Sequence, residues 1–382
     1  MRSFARLFGY FIQSWIDWMF RRRSSAMRMI AFGVVCLALA FGGGYALSGS
    51  FPFRSGRVDF DFGSSGGTPA LLLYIAAIVG VSLIGAGLAA YGYQTRLNRK
   101  RLSRKKVIVV EARGLRDTTG SPLSESLSPK LAGQRQDLLL DFRQRVKDGE
   151  IVSPEAALDH FTSLPTDFRC RENGSDRRDV SWVYGGLAPV PFTFLTGVLF
   201  DDETSVHILD WDRHASRWRE LGDADDGKRF TVSGLDDTTE ESSAVALAVS
   251  VSYAVDTEAI RAKLGPIPIV KLDLKDGSPD CHWSEEKQRA LGKQFLQTAI
   301  ALGNRAVKRI HLFLAAQNSI VFRFGKLYDK RNLPEVVVYQ YQRAATSNFP
   351  WGILMPVCGV DKPAVLRSHA VCPGEGQSHP DV

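Results

Sequence analysis

Few side chains in this 382-residue chain are placed to do covalent chemistry. Its seven histidines do not cluster, and His282 beside Cys281 is one dipeptide that matches no zinc-site spacing. The cysteines Cys36, Cys170, Cys281, Cys358 and Cys372 stand singly, with no CxxC pair to hold zinc or shuttle electrons. The sequence contains no GxxxxGK[ST] phosphate loop and no HExxH helix. His311 opens an apolar stretch and reads as structural, and the acidic runs Asp201-Asp202-Glu203 and 223–226 read as solvated loops. No catalytic residue, metal or cofactor is therefore expected. Residues suited to holding a ligand do remain. Tyr253 offers a flat ring for a base, or else a core side chain. Asn318 and Ser319 offer donors, or else only a helix cap. Lys326 and Arg343 offer cations for phosphate, or else solvated charge.

These residues sit on a regular alternation of elements. Strands are expected at 107–115, 180–188, 244–255, 267–274, 308–316 and 335–341. Helices are expected at 131–149, from Leu138, Leu139, Phe142 and Val146, and after Ser153-Pro154-Glu155. Further helices are expected at 256–265 and 284–303, the latter with an imperfect capping box from Ser284 to Lys287. Residues 116–130 read as a loop. Strands alternating with helices predict a doubly wound, mostly parallel α/β sheet. Ligands in such sheets bind beyond the carboxyl ends of the strands, where helix N-termini favour phosphate. Those positions are Glu111–Arg113, Thr118–Gly120, Pro189–Phe192 (with Pro189 and Phe192 as contacts), Ser252–Tyr253 and Gln317–Ser319.

The order of elements occurs twice. Shifted by 128 residues, LAPVPFTFLTGVLFD (187–201) falls on AAQNSIVFRFGKLYD (315–329). Phe194 then meets Phe322, Gly197 meets Gly325 and Asp201 meets Asp329. Two residues later in register, VHILDWDR (206–213) falls on VVVYQYQR (336–343). A structural duplication is expected.

The net charge of +7 is misleading as a sign of nucleic-acid binding. Thirteen Lys/Arg lie within 1–30 and 94–106 against one acid, Asp17, which leaves 107–382 mildly acidic. A groove for long nucleic acid is not indicated. The two basic segments instead bracket two uncharged runs, with spans expected at about 29–49 and 70–92. Lys/Arg outside the hairpin and only Arg54 and Arg57 between its arms place both termini in the cytosol. Neither span has an ionisable residue at its centre, which disfavours a proton relay. Residues 1–26 carry apolar residues at helical spacing and read as an amphipathic helix on the cytosolic lipid surface. Gly33, Gly42, Gly43, Gly44, Gly80, Gly85 and Gly87 would let spans approach closely.

The run IHLFLAAQNSIVFRFGKLYD followed by VVVYQY, with VSVSYAVDTEAI and YGGLAPVPFTFLTGVLFDD upstream, resembles a SAVED domain over roughly 107–355. Gln317 stands where that family often has proline. The resemblance implies two fused CARF-like Rossmannoid units behind a two-helix transmembrane hairpin. The division expected is an interfacial helix (1–26), a hairpin (27–93), a basic linker (94–106), CARF-like units (107–240 and 241–358) and a loose tail (359–382). It further implies an inner-membrane effector of anti-phage signalling (CBASS) that binds a cyclic oligonucleotide, of trinucleotide size, and forms homo-oligomers that disrupt the lipid bilayer. A membrane-tethered hydrolase of a cyclic nucleotide and a regulator of a separate membrane partner stay open as alternatives.

Overall fold

A computed structural model describes residues 24–41, 47–53, 56–62, 70–115, 120–129, 131–143, 146–147, 150–172, 174–200, 205–239, 242–343, 347–357 and 362–367. The chain divides into two compact units, Met1–Ser103 and Arg104–Val382.

In the first unit, helix α1 (Ser25–Phe41) is followed by strands β1 (Leu47–Phe53) and β2 (Gly56–Phe62), which pair as an antiparallel hairpin. Helix α2 (Ala70–Arg104) then runs for 35 residues. Among the described residues α2 is the helix long and apolar enough to cross a membrane, with an 18-residue stretch of mean hydropathy 1.9. The first expected span is shorter than its apolar run. α1 has 17 residues, about 25 Å at 1.5 Å per residue, and Leu47–Gly49 belong to β1. The basic segment 94–104 is no separate linker, because α2 carries straight through it and only Lys105 precedes the next strand. α1 and α2 meet through small residues. A Cβ at Gly33 would fall on Ile84 and the Gly80 carbonyl, and one at Gly87 on Ile30 and the Ala26 carbonyl. Gly85 faces open space and takes no part in this contact. Phe32, Val34, Leu39, Tyr74, Ile78, Val81 and Leu88 are exposed along the outer faces, as lipid-facing side chains are. The expected amphipathic helix lies outside the described residues, apart from its end.

The second unit holds two sheets built to one plan. The first has the order β4-β3-β7-β8-β9, from β3 (Lys106–Arg113), β4 (Gln134–Asp141), β7 (Val180–Leu187), β8 (Val206–Asp212) and β9 (Arg217–Glu220). The second repeats it as β12-β11-β13-β14-β15, from β11 (Ala244–Ser250), β12 (Ile269–Leu274), β13 (Arg309–Ala315), β14 (Glu335–Gln340) and β15 (Trp351–Leu354). The first four strands of each set are parallel and the fifth is antiparallel. Each set is therefore a parallel Rossmannoid sheet with its order switching beside the first strand. The second sheet gains β10 (Phe230–Ser233) and β16 (Ala364–Arg367) at its edges. Hence Phe230–Ser233 already belongs to the second sheet, ahead of the expected boundary at 240. The expected loose tail contributes a paired strand, tied by Arg367 to Glu155 through hydrogen bonds of 2.6 and 2.8 Å.

One expected helix is not formed. Residues 134–141 are β4, paired with β3 in full register, and the short strands β5 (Val146–Lys147) and β6 (Glu150–Ile151) follow. Leu138, Leu140 and Phe142 are buried while Leu139 is 47% exposed, which is a period of two. The apolar cluster had disguised alternation as a helical face. The other helices form as read: α3 (Pro154–Glu172), α5 (Thr257–Leu264, capped by Asp256) and α6 (Glu285–Asn304, capped by Ser284).

The two sheets are joined through α4 (Val190–Leu199) and α7 (Asn318–Leu327), whose bounds differ by the 128-residue shift. A Cβ at Gly197 would overlap the carbonyl oxygen of Phe322, and one at Gly325 that of Phe194. The contact is reciprocal, as a pseudo-twofold axis demands. Phe322 stacks on Tyr184 with centroids 3.8 Å apart, and Phe194 packs edge-on to Phe295, so each helix plugs into the other half's core. Gly197→Ala and Gly325→Ala should each destabilise the 104–382 unit, which has its own cores, by about 1–3 kcal/mol, because backbone cannot yield as a side chain can. Urea unfolding of that unit measures this. Gly222→Ala, where the added Cβ meets nothing, is the control.

Candidate ligand site at the strand ends

Thr193 Oγ, in the first turns of α4, donates to Asn318 Oδ1 at the start of α7, at 2.7 Å. Farther along, Gly197 meets Phe322. The helices thus run side by side in the same sense. Each leaves a strand at its carboxyl end, so the carboxyl edges of both sheets lie on one side of the molecule.

A cavity of about 420 Å³ opens at the carboxyl ends of β11 and β12. Its volume falls in the usual range for small-molecule sites, about 300–1,000 Å³. Tyr253 lines it and is 63% exposed, so the ring is available to a ligand rather than spent on the core. Gly277 also lines it, and a Cβ there would strike the Val251 carbonyl. Gln317 fixes the neighbouring loop by donating from Nε2 to the carbonyls of Ser278 (3.0 Å) and Pro279 (2.7 Å). Tyr253, Gln317 and Asn318 are the expected residues that the fold gathers along this edge.

Several others are corrected. Phe192 is fully buried, in a triangle of rings with Phe142 and Phe161 and tilted against Trp351, which seals it in the core. Pro189 is buried as the residue preceding α4. Ser319 is buried, its backbone N–H given to Asp210 Oδ2 (3.0 Å) and its Oγ accepting from Gln288 Nε2 (2.9 Å). The positive end of α7 therefore already holds a carboxylate of its own chain, which opposes a ligand phosphate at that point. Lys326 lies in the last turn of α7, about 12 Å along the axis from Asn318, at the wrong end of the helix. Arg343 is exposed just past β14, two strands from the cavity, or about 10 Å. In the first half, Glu111 accepts from Arg113 Nε (2.6 Å) and from the Leu123 N–H (2.9 Å), so this buried pair braces a loop. Of Thr118–Gly120, only Gly120 is described.

Sequence reasoning passed over Lys271 and Asp273, which line the cavity from β12. The signal was present in IVKLDL, where two charges alternate with buried Val270, Leu272 and Leu274. It also passed over Asp210 and His282, a buried pair with His282 Nε2 3.5 Å from Asp210 Oδ2.

Family comparisons agree with this architecture. Residues 5–158 match the SAVED-fused 2TM effector domain, and residues 166–355 match the SMODS-associated and fused to various effectors sensor domain, SAVED. The chain is a SAVED protein with a two-transmembrane effector domain. No curated protein sequence matches this SAVED protein. Among solved structures it is similar to the Acinetobacter baumannii Cap4 SAVED/CARF-domain containing receptor with the cyclic trinucleotide 2'3'3'-cAAA. That match has 12% identity and a TM-score of 0.45, covering 75% of this chain and 58% of that one. The same receptor with 3'3'3'-cAAA gives 13%, 0.45, 75% and 59%. The Moraxella osloensis Cap4 receptor gives 12%, 0.43, 75% and 57%. The SAVED protein thus spans less than two-thirds of the length of these receptors.

Burial also sets how this unit responds to pH. Burial, then Arg309 and Lys263, push His311 down to about 4, where it bonds Tyr339 Oη at 2.9 Å. Burial lowers His282 as well, against the pull of Asp210. Both are neutral in the fold and take up protons on unfolding below the ordinary histidine value of about 6.5. The unfolded state then binds more protons, so stability falls with falling pH from about 6.5 to 4, before the salt-bridged carboxylates titrate. Urea midpoints of the 104–382 unit across that window should show the slope, and His311→Gln should reduce it.

Proposed function

We propose that this protein is a membrane-anchored sensor and effector. Its cytosolic SAVED unit binds a cyclic oligonucleotide of trinucleotide size, assembles into oligomers, and drives the hairpin to disrupt the inner membrane. The observation that carries the reading is the parallel pairing of α4 and α7. It sets the carboxyl edges of two equivalent sheets on one side, beside a cavity lined by an exposed tyrosine. A ligand spanning such an edge must be wider than a mononucleotide, and exposed rings at strand ends stack bases. The sensor family to which residues 166–355 belong supports the same class of ligand. No residue is given a catalytic role.

Two spans are assigned to α1 and α2, with both termini cytosolic, because thirteen Lys/Arg flank the hairpin and two lie between its arms. A single hairpin encloses no pore, so several copies must act together. Duplicated halves suit head-to-tail contacts between protomers, which stack in rings or filaments. The close contact at Gly33, Gly80 and Gly87 keeps each hairpin compact as copies gather.

The test is a thermal-shift panel of cyclic di-, tri- and tetranucleotides on the 104–382 unit. A ligand at one hundred times its Kd adds about 2.7 kcal/mol, which raises Tm by several degrees. Tyr253→Ala should leave the unliganded Tm in place, since the ring is exposed, and should remove most of the shift. No shift with any member of the panel contradicts the reading.

A further inference from the structure

β11 and β12 lie side by side with Ala248 opposite Lys271 and Ser250 opposite Asp273. The two small residues leave space on this face, and the Lys271 and Asp273 side chains fill its wall. Being two apart on one strand, they project from the same face, roughly 7 Å apart. Both are half-buried. Among the described residues, neither side chain has a hydrogen bond or an ion-pair partner. Charged groups that line a cavity without a protein partner keep their hydrogen-bonding capacity for whatever enters it. A structure that keeps a cation and an anion side by side in this state, within a cavity and beneath an exposed tyrosine, is arranged for a ligand that satisfies both.

We infer that this cavity is a subsite for guanine within the cyclic oligonucleotide. The inference rests on the sensor reading and adds the base to it. Guanine presents N1–H and N2–H side by side, and a carboxylate accepts both in parallel bonds. Its O6 lies next along the same edge and takes a bond from the Lys271 ammonium. Tyr253 stacks on the ring face. Adenine offers the carboxylate one amino group and no second donor. Uracil sets a carbonyl on each side of its single N–H, so lone pairs meet the carboxylate. The order of preference is guanine, then adenine, then uracil. Thr257, at the first position of α5 on the cavity wall, has its hydroxyl in reach of the sugar edge of such a ligand.

The experiment titrates the purified full-length protein, in detergent, with the 5'-monophosphates of guanosine, adenosine, uridine and xanthosine, by calorimetry. Wild type should bind the guanosine nucleotide about ten- to one hundred-fold more tightly than the uridine nucleotide, the range for a bidentate base contact. Asp273→Asn should weaken guanosine binding about tenfold or more and strengthen xanthosine binding. Xanthine carries a carbonyl where guanine carries the amino group, and an asparagine amide donates to it. A misfolded variant cannot gain a ligand, so the exchange separates recognition from damage. Equal binding of the guanosine and uridine nucleotides by wild type, or an Asp273→Asn protein with unchanged preferences, overturns the guanine assignment. If either result comes while cyclic oligonucleotides still shift the Tm, the sensor reading stands and only the base is wrong. If wild type binds neither cyclic oligonucleotides nor the guanosine nucleotide, both fall together.

Discussion

Two glycines facing two carbonyl oxygens hold the two sheets of the 104–382 unit together. Gly197 against Phe322 and Gly325 against Phe194 let α4 and α7 approach to backbone contact, closer than any side chain permits. Everything at the strand ends follows from that approach. The helices share a direction, so the carboxyl edges of both sheets share a side. Phe194 and Phe322 each enter the other half's core, so neither half completes its packing alone. A duplicated chain that lacked these glycines would carry two sheets with no fixed relation, and a ligand spanning both would have no site.

The duplication is not symmetric where the chemistry is. Ser319 gives its backbone N–H to Asp210, and this ties α7 to the first sheet. Its equivalent at the 128-residue shift is Pro191, which has no N–H to give. The register partner of Asp210 is Gln340, an amide rather than a carboxylate. The charged cap therefore exists in one direction only. Likewise the cavity with Tyr253, Lys271 and Asp273 belongs to the second half, while the matching edge of the first half is braced by Glu111 and Arg113.

Much of this was legible in the sequence, for identifiable reasons. The 128-residue register aligned 187–201 with 315–329, the segments that contain α4 and α7, without assigning the bounds of either helix. Long apolar runs with basic flanks located α2. The segment 134–141 misled, because Leu139 adds an exposed apolar residue to a buried alternation and so imitates a helical face. Phe192 and Lys326 were misplaced for a different reason. Sequence order places a residue on a helix but does not say which face or which end meets the ligand. Lys271 and Asp273 were hidden by their surroundings, since charges inside a strand read as a solvated face until a cavity is seen beside them.

α2 continues through the basic segment to Arg104, and β3, the strand at which the first sheet's order switches, begins at Lys106. The most direct measurement is dye release from liposomes of anionic lipid holding the full-length protein, with and without the cyclic oligonucleotide that shifts its Tm. Release that requires ligand, and that rises more steeply than linearly with protein density, is the expected result. Equal release without ligand, or release proportional to single copies, would contradict ligand-driven assembly as the cause of membrane damage.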